Sequence, residues 1–280
     1  MNGSLVCVGL GMTLGAHISP IAKSYIDNAD VVFSGVSNGI VELWLQEMHS
    51  DVRSLQSFYE EGKSRNTTYQ QWVEVMLEQV RLGKKVVGAF YGHPGVFAKA
   101  PHVAIEQAKK EGFDAKMLPG ISAEDCLYAD LGIDPGRVGC QHYEASQFMF
   151  YRRNIDPSAY LILWQIGVVG DTSLSRKTTG QAHRALLVEL LMQHYPPEHA
   201  VTLYEAAVLP IDKVRQQTLT LNELPNAVIH QHTTLVIPPA IDMKENQEIL
   251  ARLAQIENDI DNNTNAISNN ASSIAIQAKA

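Results

Sequence analysis

The sequence predicts an α/β protein made of two successive α/β domains. Short apolar runs, typical of buried strands, alternate with segments whose apolar residues recur at helical spacing. This alternation indicates a mostly parallel sheet with helices on its faces. The chain has 280 residues, of which 45% are hydrophobic and 19% charged, a length and composition sufficient for two globular cores.

The first domain is predicted to span residues 1–118. Ser19 is the expected N-cap of its first helix, with Pro20 at the first helical position. The predicted strands are residues 5–8, 31–33 and 85–91 and a strand ending at residue 118. The predicted helices are residues 19–28, 39–48 and 67–82 and a helix ending at residue 110.

The second domain is predicted to span residues 119–240, and residues 241–280 form a separate tail. Its predicted strands are residues 160–166, 200–205, 217–221 and 233–237, with a helix over 181–194. The tail carries a heptad stripe at Ile249, Leu253, Ile256, Ile260, Asn263, Ile267, Asn270 and Ile274. Because asparagine is a weak helix former, the tail is expected to be either a docking or oligomerisation helix or a flexible segment.

Composition excludes several classes of protein. The net charge of -8 disfavours a nucleic-acid or anionic-membrane partner. No basic segment precedes an apolar one at the N-terminus, and the apolar stretch at 160–169 is too short to span a bilayer. We therefore expect a cytoplasmic protein.

The cysteines and histidines predict neither a disulfide framework nor a metal site. The three cysteines are widely spaced, so we expect buried free thiols. His230 and His232 alternate like one face of a strand, and surface histidines are the preferred interpretation.

Glycine spacing argues against two nucleotide-binding motifs. Gly9, Gly11 and Gly15 follow the first strand as GxGxxxG, which differs from the dinucleotide fingerprint, and Ser34 and Gly35 stand where that fingerprint needs an acid. A phosphate loop around residues 62–64 lacks its first glycine. A plain turn and a ligand-binding loop both remain open for residues 9–15.

Two later motifs stand where α/β sheets bind ligands. The string YGHPGVF at residues 91–97 closes a strand, and Pro94 and Gly95 force a turn there. The string PGISAED at residues 119–125 precedes a helix, with Ser122 as N-cap and Asp125 completing a capping box. The capping role alone would explain the second string.

Tyr59, Arg65, Tyr69 and Tyr91 are a candidate catalytic group. Arg65 cannot act as a base because its guanidinium stays charged. It can bind phenols or carbonyls and lower the pKa of a neighbouring tyrosine. Spacing alone also allows four unconnected residues.

Taken in order, the strings at 9–11, 91–97, 119–124 and 204–206 resemble the tetrapyrrole (precorrin) methylase superfamily. A closer resemblance, to the borosin peptide backbone N-methyltransferases and especially their bacterial split type, is carried by Tyr59, Arg65 and Tyr69 and by the strings at 131–136, 144–150 and 163–166. This resemblance covers roughly residues 1–250. It implies two α/β domains with S-adenosylmethionine in the cleft between them, and a homodimer.

The resemblance also implies roles for particular residues. The cofactor would lie against Tyr91, His93, Val96, Phe97, Ser122, Ala123, Gln165 and Ala206. A tyrosine with a depressed pKa would act as base, while Arg65 and another phenol stabilise the developing imidate oxygen. Which tyrosine is the base stays open. In the wider superfamily an acid often stands at the position of His93, so this departure favours the peptide-methylating branch.

The expected function is iterative N-methylation of backbone amides in a ribosomally made precursor peptide, with S-adenosylhomocysteine as the other product. A separate precursor chain is preferred over a fused core at residues 271–276. Two alternatives remain: a methyltransferase for a small corrinoid-like molecule, and a non-enzymatic adaptor that binds the cofactor.

Overall fold

The protein has an α/β fold built on two five-stranded sheets. The structure, a computed structural model, describes residues 3–60, 63–172 and 178–260. Contacts divide the chain into two units, Met1–Ala240 and Ile241–Ala280, and both sheets belong to the first unit. The predicted α/β fold class is confirmed.

The first sheet is wholly parallel, with strand order β3-β2-β4-β1-β5. Its elements are β1 (Ser4–Gly9), α1 (Pro20–Asp27), β2 (Val31–Gly35), α2 (Gly39–Met48), β3 (Val52–Ser54), α3 (Arg65–Arg81), β4 (Lys85–Phe90), α4 (Lys99–Lys110) and β5 (Asp114–Met117). Side chains of β1 alternate between two cores: Leu5 and Cys7 pack on one face of the sheet, and Val6 and Val8 on the other. Burial on both faces is why parallel strands are continuous apolar runs in the sequence.

The second sheet is mixed, with strand order β6-β7-β10-β8-β9. Its elements are α5 (Ala123–Leu131), α6 (Pro135–Val138), β6 (Cys140–Glu144), α7 (Ala145–Phe150), β7 (Tyr160–Trp164), α8 (Gln181–Leu191), β8 (Ala200–Glu205), β9 (Arg215–Thr220) and β10 (Thr234–Ile237). Only β6 and β7 pair in parallel, so the expectation of a mostly parallel sheet holds for the first sheet alone.

Capping residues explain where several helices begin. The Ser19 hydroxyl accepts a hydrogen bond from the Ala22 amide at 3.2 Å, and Pro20 opens α1 as predicted. Helix α3 begins at Arg65, two residues before the predicted start, because the Ser64 hydroxyl caps it through the Asn66 amide at 3.3 Å. This extension places Arg65 on the first turn of α3, one turn ahead of Tyr69.

The C-terminal unit contains a helix over residues 247–260. Its apolar side chains Ile249, Leu253, Ile256 and Ile260 are exposed, which agrees with the first half of the heptad stripe. The later heptad positions and residues 271–276 lie outside the described residues. Within the described residues, the structure contains no helix with the length and apolar character needed to cross a membrane.

Candidate ligand pocket and aromatic cluster

Three glycine turns pack against one another at the carboxyl ends of β1 and β4. A Cβ atom on Gly9 would lie 2.3 Å from the Gly92 carbonyl oxygen and 2.8 Å from the Gly120 Cα. Gly11 and Gly92 exchange backbone hydrogen bonds of 3.1 and 3.0 Å. Gly9 and Gly11 therefore allow close approach of backbones. Neither of them lines the adjacent pocket, whereas Gly92 does.

This pocket, of about 250 Å³, lies beside the glycine turns and extends to the second sheet. All of the predicted cofactor residues line it: Tyr91, His93, Val96, Phe97, Ser122, Ala123, Gln165 and Ala206. Sequence reasoning did not assign several other lining residues, which are Met12, Ala98, Glu124, Trp164, Tyr204, Glu205, His232 and Thr234. Four of these residues lie within the sequence strings described above, at 119–125, 163–166 and 204–206: Glu124, Trp164, Tyr204 and Glu205. Their positions within the motifs could therefore have identified them.

Backbone strain is concentrated at this pocket. Phe97 (φ 50°) and Gln165 (φ 60°) are the only residues other than glycine with positive φ in the part of the chain that the structure describes. Such conformations cost of order 1–3 kcal/mol each and persist where the surroundings fix them. The Phe97 ring lies 5.6 Å from that of Trp164, which comes directly before Gln165. Both strained residues line the pocket, which supports a functional role for it.

His93 stabilises its own turn. Its Nδ1 accepts a hydrogen bond from the Gly95 amide at 2.9 Å, and its carbonyl accepts one from Val96 at 3.3 Å. On the other side of the turn, His102 Nε2 lies 2.9 Å from the Gly95 carbonyl oxygen. His93 therefore shapes the loop that carries Val96 and Phe97.

The charges of the pocket favour a cationic or neutral ligand over a phosphate. Glu124 and Glu205 line it, and among the described residues no lysine or arginine does. Phosphate sites typically place arginine or lysine against the anion. Although burial alone would raise the pKa of Glu205, hydrogen bonds from Thr233, His230 and Arg215 lower that pKa to about 2. Glu205 is therefore a carboxylate at neutral pH.

Glu205 also gathers two histidines. One carboxylate oxygen of Glu205 and one ring nitrogen each of His230 and His232, atoms that could bind a metal ion, lie within 4.8 Å of one another. Sequence spacing could not reveal this proximity. The histidines precede β10; the expected strand pattern does not include them. Arg215 Nη1 lies 2.6 Å from the same carboxylate and neutralises its charge. The positive charge of Arg215 would also repel a divalent cation at this place.

The predicted catalytic residues divide between two places. Tyr91 lines the pocket, whereas Tyr59 and Tyr69 lie edge-on to Trp72 with ring centroids 5.5 and 5.6 Å apart. Tyr69 also lines a second groove with Asn66, Gln70, Val73, Lys99, Ala100 and Val103. Lys99 of this groove follows Ala98 of the pocket, so the two cavities are neighbours.

Burial raises the pKa of Tyr91 above its ordinary value. The depressed pKa expected of a catalytic base is therefore not found at Tyr91. A protonated phenol donates a hydrogen bond, which suits Tyr91 to stabilise a developing negative charge.

The cysteines are free, as predicted, although only Cys7 is fully buried. Burial raises the pKa of Cys7 to about 12 and that of Cys126 to about 11, and it also raises the pKa of Cys140. Since the thiolate is the nucleophile, the described thiols argue against a cysteine-based mechanism.

We expect the native protein at neutral pH to be alkylated by iodoacetamide far more slowly than free cysteine, because raised pKa values leave little thiolate. Intact mass spectrometry over time would measure this rate. The unfolded protein is the control and should gain three adducts, one for each cysteine. Rapid labelling of a single native thiol would contradict the expectation.

Residues 4–223 match the family of tetrapyrrole (corrin/porphyrin) methylases, and the chain belongs to this family. The fold is similar to that of a cobalt precorrin-4 methyltransferase, with a TM-score of 0.61 and 17% identity over 86% of this chain and 96% of that one. It is also similar to the uroporphyrin-III C-methyltransferase of Thermus thermophilus, with a TM-score of 0.60 and 17% identity over 85% and 93% of the two chains. Identities this low indicate a common fold only.

More similar relatives are named as methyltransferases joined to peptide precursors. The gymnopeptides precursor protein of Gymnopus fusipes is 40% identical over 255 residues, which are 90% of this chain and 61% of the relative. The omphalotin A precursor protein of Omphalotus olearius is 39% identical, with the same coverage. A type I borosin precursor protein of Coprinopsis marcescibilis is 42% identical over 79% of this chain and 57% of the relative. The chain thus spans about three fifths of their length.

Proposed function

We propose that the pocket binds S-adenosylmethionine and that the protein is a methyltransferase. The observation that carries this proposal is a pocket with acidic and aromatic walls and no lysine or arginine among its described lining residues. A sulfonium and an ammonium group suit such walls, because cations are attracted to carboxylates and to aromatic faces. Bound there, the cofactor supplies an electrophilic methyl group, and its product is S-adenosylhomocysteine.

The residues proposed to hold the cofactor come from both halves of the first unit. Tyr91, His93, Val96 and Phe97 belong to the turn after β4. Ser122 and Ala123 stand at the start of α5, Gln165 follows β7 and Ala206 follows β8. The lining of the pocket is mainly apolar, which is usual for a small-molecule site whose few polar groups fix the orientation of the ligand.

The proposed substrate is the backbone amide nitrogen of a ribosomally made peptide, methylated repeatedly along the chain. The relatives named as precursors of ribosomally synthesised cyclic peptides, one of them a type I borosin precursor, support this choice. The phenols of Tyr91 in the pocket and of Tyr69 in the neighbouring groove support it as well. An amide nitrogen becomes nucleophilic as its proton leaves, and charge then develops on the carbonyl oxygen. Tyr91 would donate a hydrogen bond to that oxygen, Arg65 would add a positive charge, and Tyr59 or Tyr69 would accept the proton.

The location of the precursor peptide separates two arrangements of the system. The sequence-based expectation is a separate precursor, as in the split type, acting with a homodimeric enzyme. The relatives' names join methyltransferase and precursor and so favour a precursor on the enzyme's own chain. Intact mass spectrometry distinguishes them, because the added methyl groups appear either on a separate peptide or on the protein itself.

Calorimetry with S-adenosylhomocysteine tests the cofactor proposal. We expect one site per chain, and we expect Ala206→Trp to weaken binding more than about tenfold because the larger ring fills the pocket. Ile211→Trp is the matched control, since Ile211 is exposed and does not line the pocket.

If the unmodified protein gave no binding heat with S-adenosylhomocysteine, the cofactor proposal would be wrong. Binding without any methylated peptide, together with turnover of a corrinoid, would instead favour the small-molecule alternative.

A further inference from the structure

A chain of hydrogen bonds runs behind the wall of the pocket. The Trp164 indole Nε1 lies 3.2 Å from His142 Nδ1, and His142 Nε2 lies 2.8 Å from the Tyr128 hydroxyl. That hydroxyl donates to Glu124 Oε1 at 3.0 Å. Trp164 and Glu124 line the pocket, whereas His142 and Tyr128 do not. Two pocket residues are therefore joined through two residues outside it.

The donors in this chain fix where the protons lie. An indole N–H can only donate, so His142 Nδ1 must accept and carries no proton. The neutral ring then has its proton on Nε2, which donates to the Tyr128 oxygen. The Tyr128 proton in turn points at the Glu124 carboxylate. Each of the three hydrogen bonds is donated in the direction of the Glu124 carboxylate, and its negative charge stabilises this placement of the protons.

Ring contacts extend the chain to the other half of the pocket. His142 and Trp164 lie on the same face of β6 and β7, where His142 pairs with Ile162 two positions before Trp164. The His142 and Trp164 rings are nearly parallel, with planes 16° apart and centroids 6.0 Å apart, and the Phe97 and Trp164 ring centroids lie 5.6 Å apart. Phe97 belongs to the strained turn after β4. The orientation of the Trp164 ring therefore determines the position of the Phe97 ring, and both rings line the pocket.

We propose that His142 is a positioning residue, whose neutral ring holds the Trp164 indole and, through it, Phe97 in place for the ligand. The identity of that ligand as S-adenosylmethionine rests on the proposed function. A protonated His142 would present an N–H to the indole N–H, and the hydrogen bond that fixes Trp164 would be lost. Ligand affinity then falls as His142 gains its proton.

Burial lowers the pKa of His142, and the charge of Glu124 opposes that effect. The titratable groups near it are Glu124 and Tyr128 from α5 and Cys140 from its own strand. Because the pKa is lowered, the neutral ring persists at pH 7. Ligand affinity is therefore expected to fall at pH values below the ordinary pKa of histidine, which is about 6.5.

Indole NMR tests the hydrogen bond without any ligand. The chain has three tryptophans, so a protein labelled with ¹⁵N-tryptophan gives three indole resonances, and Trp164→Phe identifies the one from Trp164. Between about pH 5 and 8 we expect this resonance to titrate with a midpoint below the ordinary histidine value. In His142→Gln it should not titrate, because the amide oxygen accepts the indole N–H at every pH.

Calorimetry with S-adenosylhomocysteine then tests the effect on the pocket. His142→Phe offers no acceptor, and we expect about tenfold weaker binding at pH 7.5. His142→Gln should remain within about threefold of the unmodified protein and lose the acid-side weakening. The exposed His194→Gln is the matched control.

A Trp164 resonance that does not titrate, or equal affinity in His142→Phe, would overturn the positioning role. No binding by the unmodified protein would overturn the proposed cofactor, which is a different result, because the resonance reports on Trp164 with or without ligand.

Discussion

Replacing Arg65 with alanine is expected to slow methyl transfer by about 10²–10³-fold, the usual cost of losing one group that stabilises charge in a transition state. Arg65 opens α3 one turn before Tyr69 and does not line the pocket. Binding of S-adenosylhomocysteine should therefore be unchanged. Single-turnover transfer to a precursor peptide measures the first quantity, and calorimetry measures the second.

Two further variants make this expectation specific. Arg65→Lys keeps the charge but loses the planar donor array, so we expect partial activity. Arg81→Ala is the matched control at the other end of α3, where the guanidinium pairs with Glu74 and Glu111 at the surface. It should leave transfer intact and change stability little. Full activity in Arg65→Ala would remove Arg65 from the catalytic set, and loss of cofactor binding would show that its role is structural.

The sequence predicted those elements whose local pattern reflects their burial. Helix α2 was predicted with its observed bounds, and β4 is an apolar run because both faces of the first sheet are covered. Strand β6 was missed because its residues 140–144 include glutamine, histidine and glutamate and are only partly buried. Its pairing with β7, rather than its own composition, makes it a strand.

The pocket was predictable where motifs carry it and not where distant pairs do. The turn at 91–97 and the helix start at 122–123 were identified from their strings, and both line the pocket. His142 gave no such signal, because its partners Tyr128 and Trp164 lie 14 and 22 residues away on other elements. The contact between Tyr69 and Trp72 was partly predictable, because residues three apart on a predicted helix are neighbours.

Replacing Gly9 with alanine is expected to lower the free energy of unfolding by about 3 kcal/mol or more, a large effect for one methyl group. The new Cβ would lie 2.3 Å from the Gly92 carbonyl oxygen and 2.8 Å from Gly120 Cα, and these are backbone atoms that no side-chain rotation can move. Relief requires the turns after β1 and β4 to separate. Urea unfolding monitored by fluorescence measures the change.

Gly39→Ala is the matched control, because Gly39 opens α2 and a Cβ there meets nothing within 4 Å. It should be neutral or stabilising by up to about 1 kcal/mol. If Gly9→Ala proved as stable as Gly39→Ala, the close packing of the three turns would be wrong. The expected loss instead assigns the first glycine motif a task distinct from ligand contact: it lets two strand ends meet, so that the turn bearing Tyr91, His93 and Phe97 is held against the first strand.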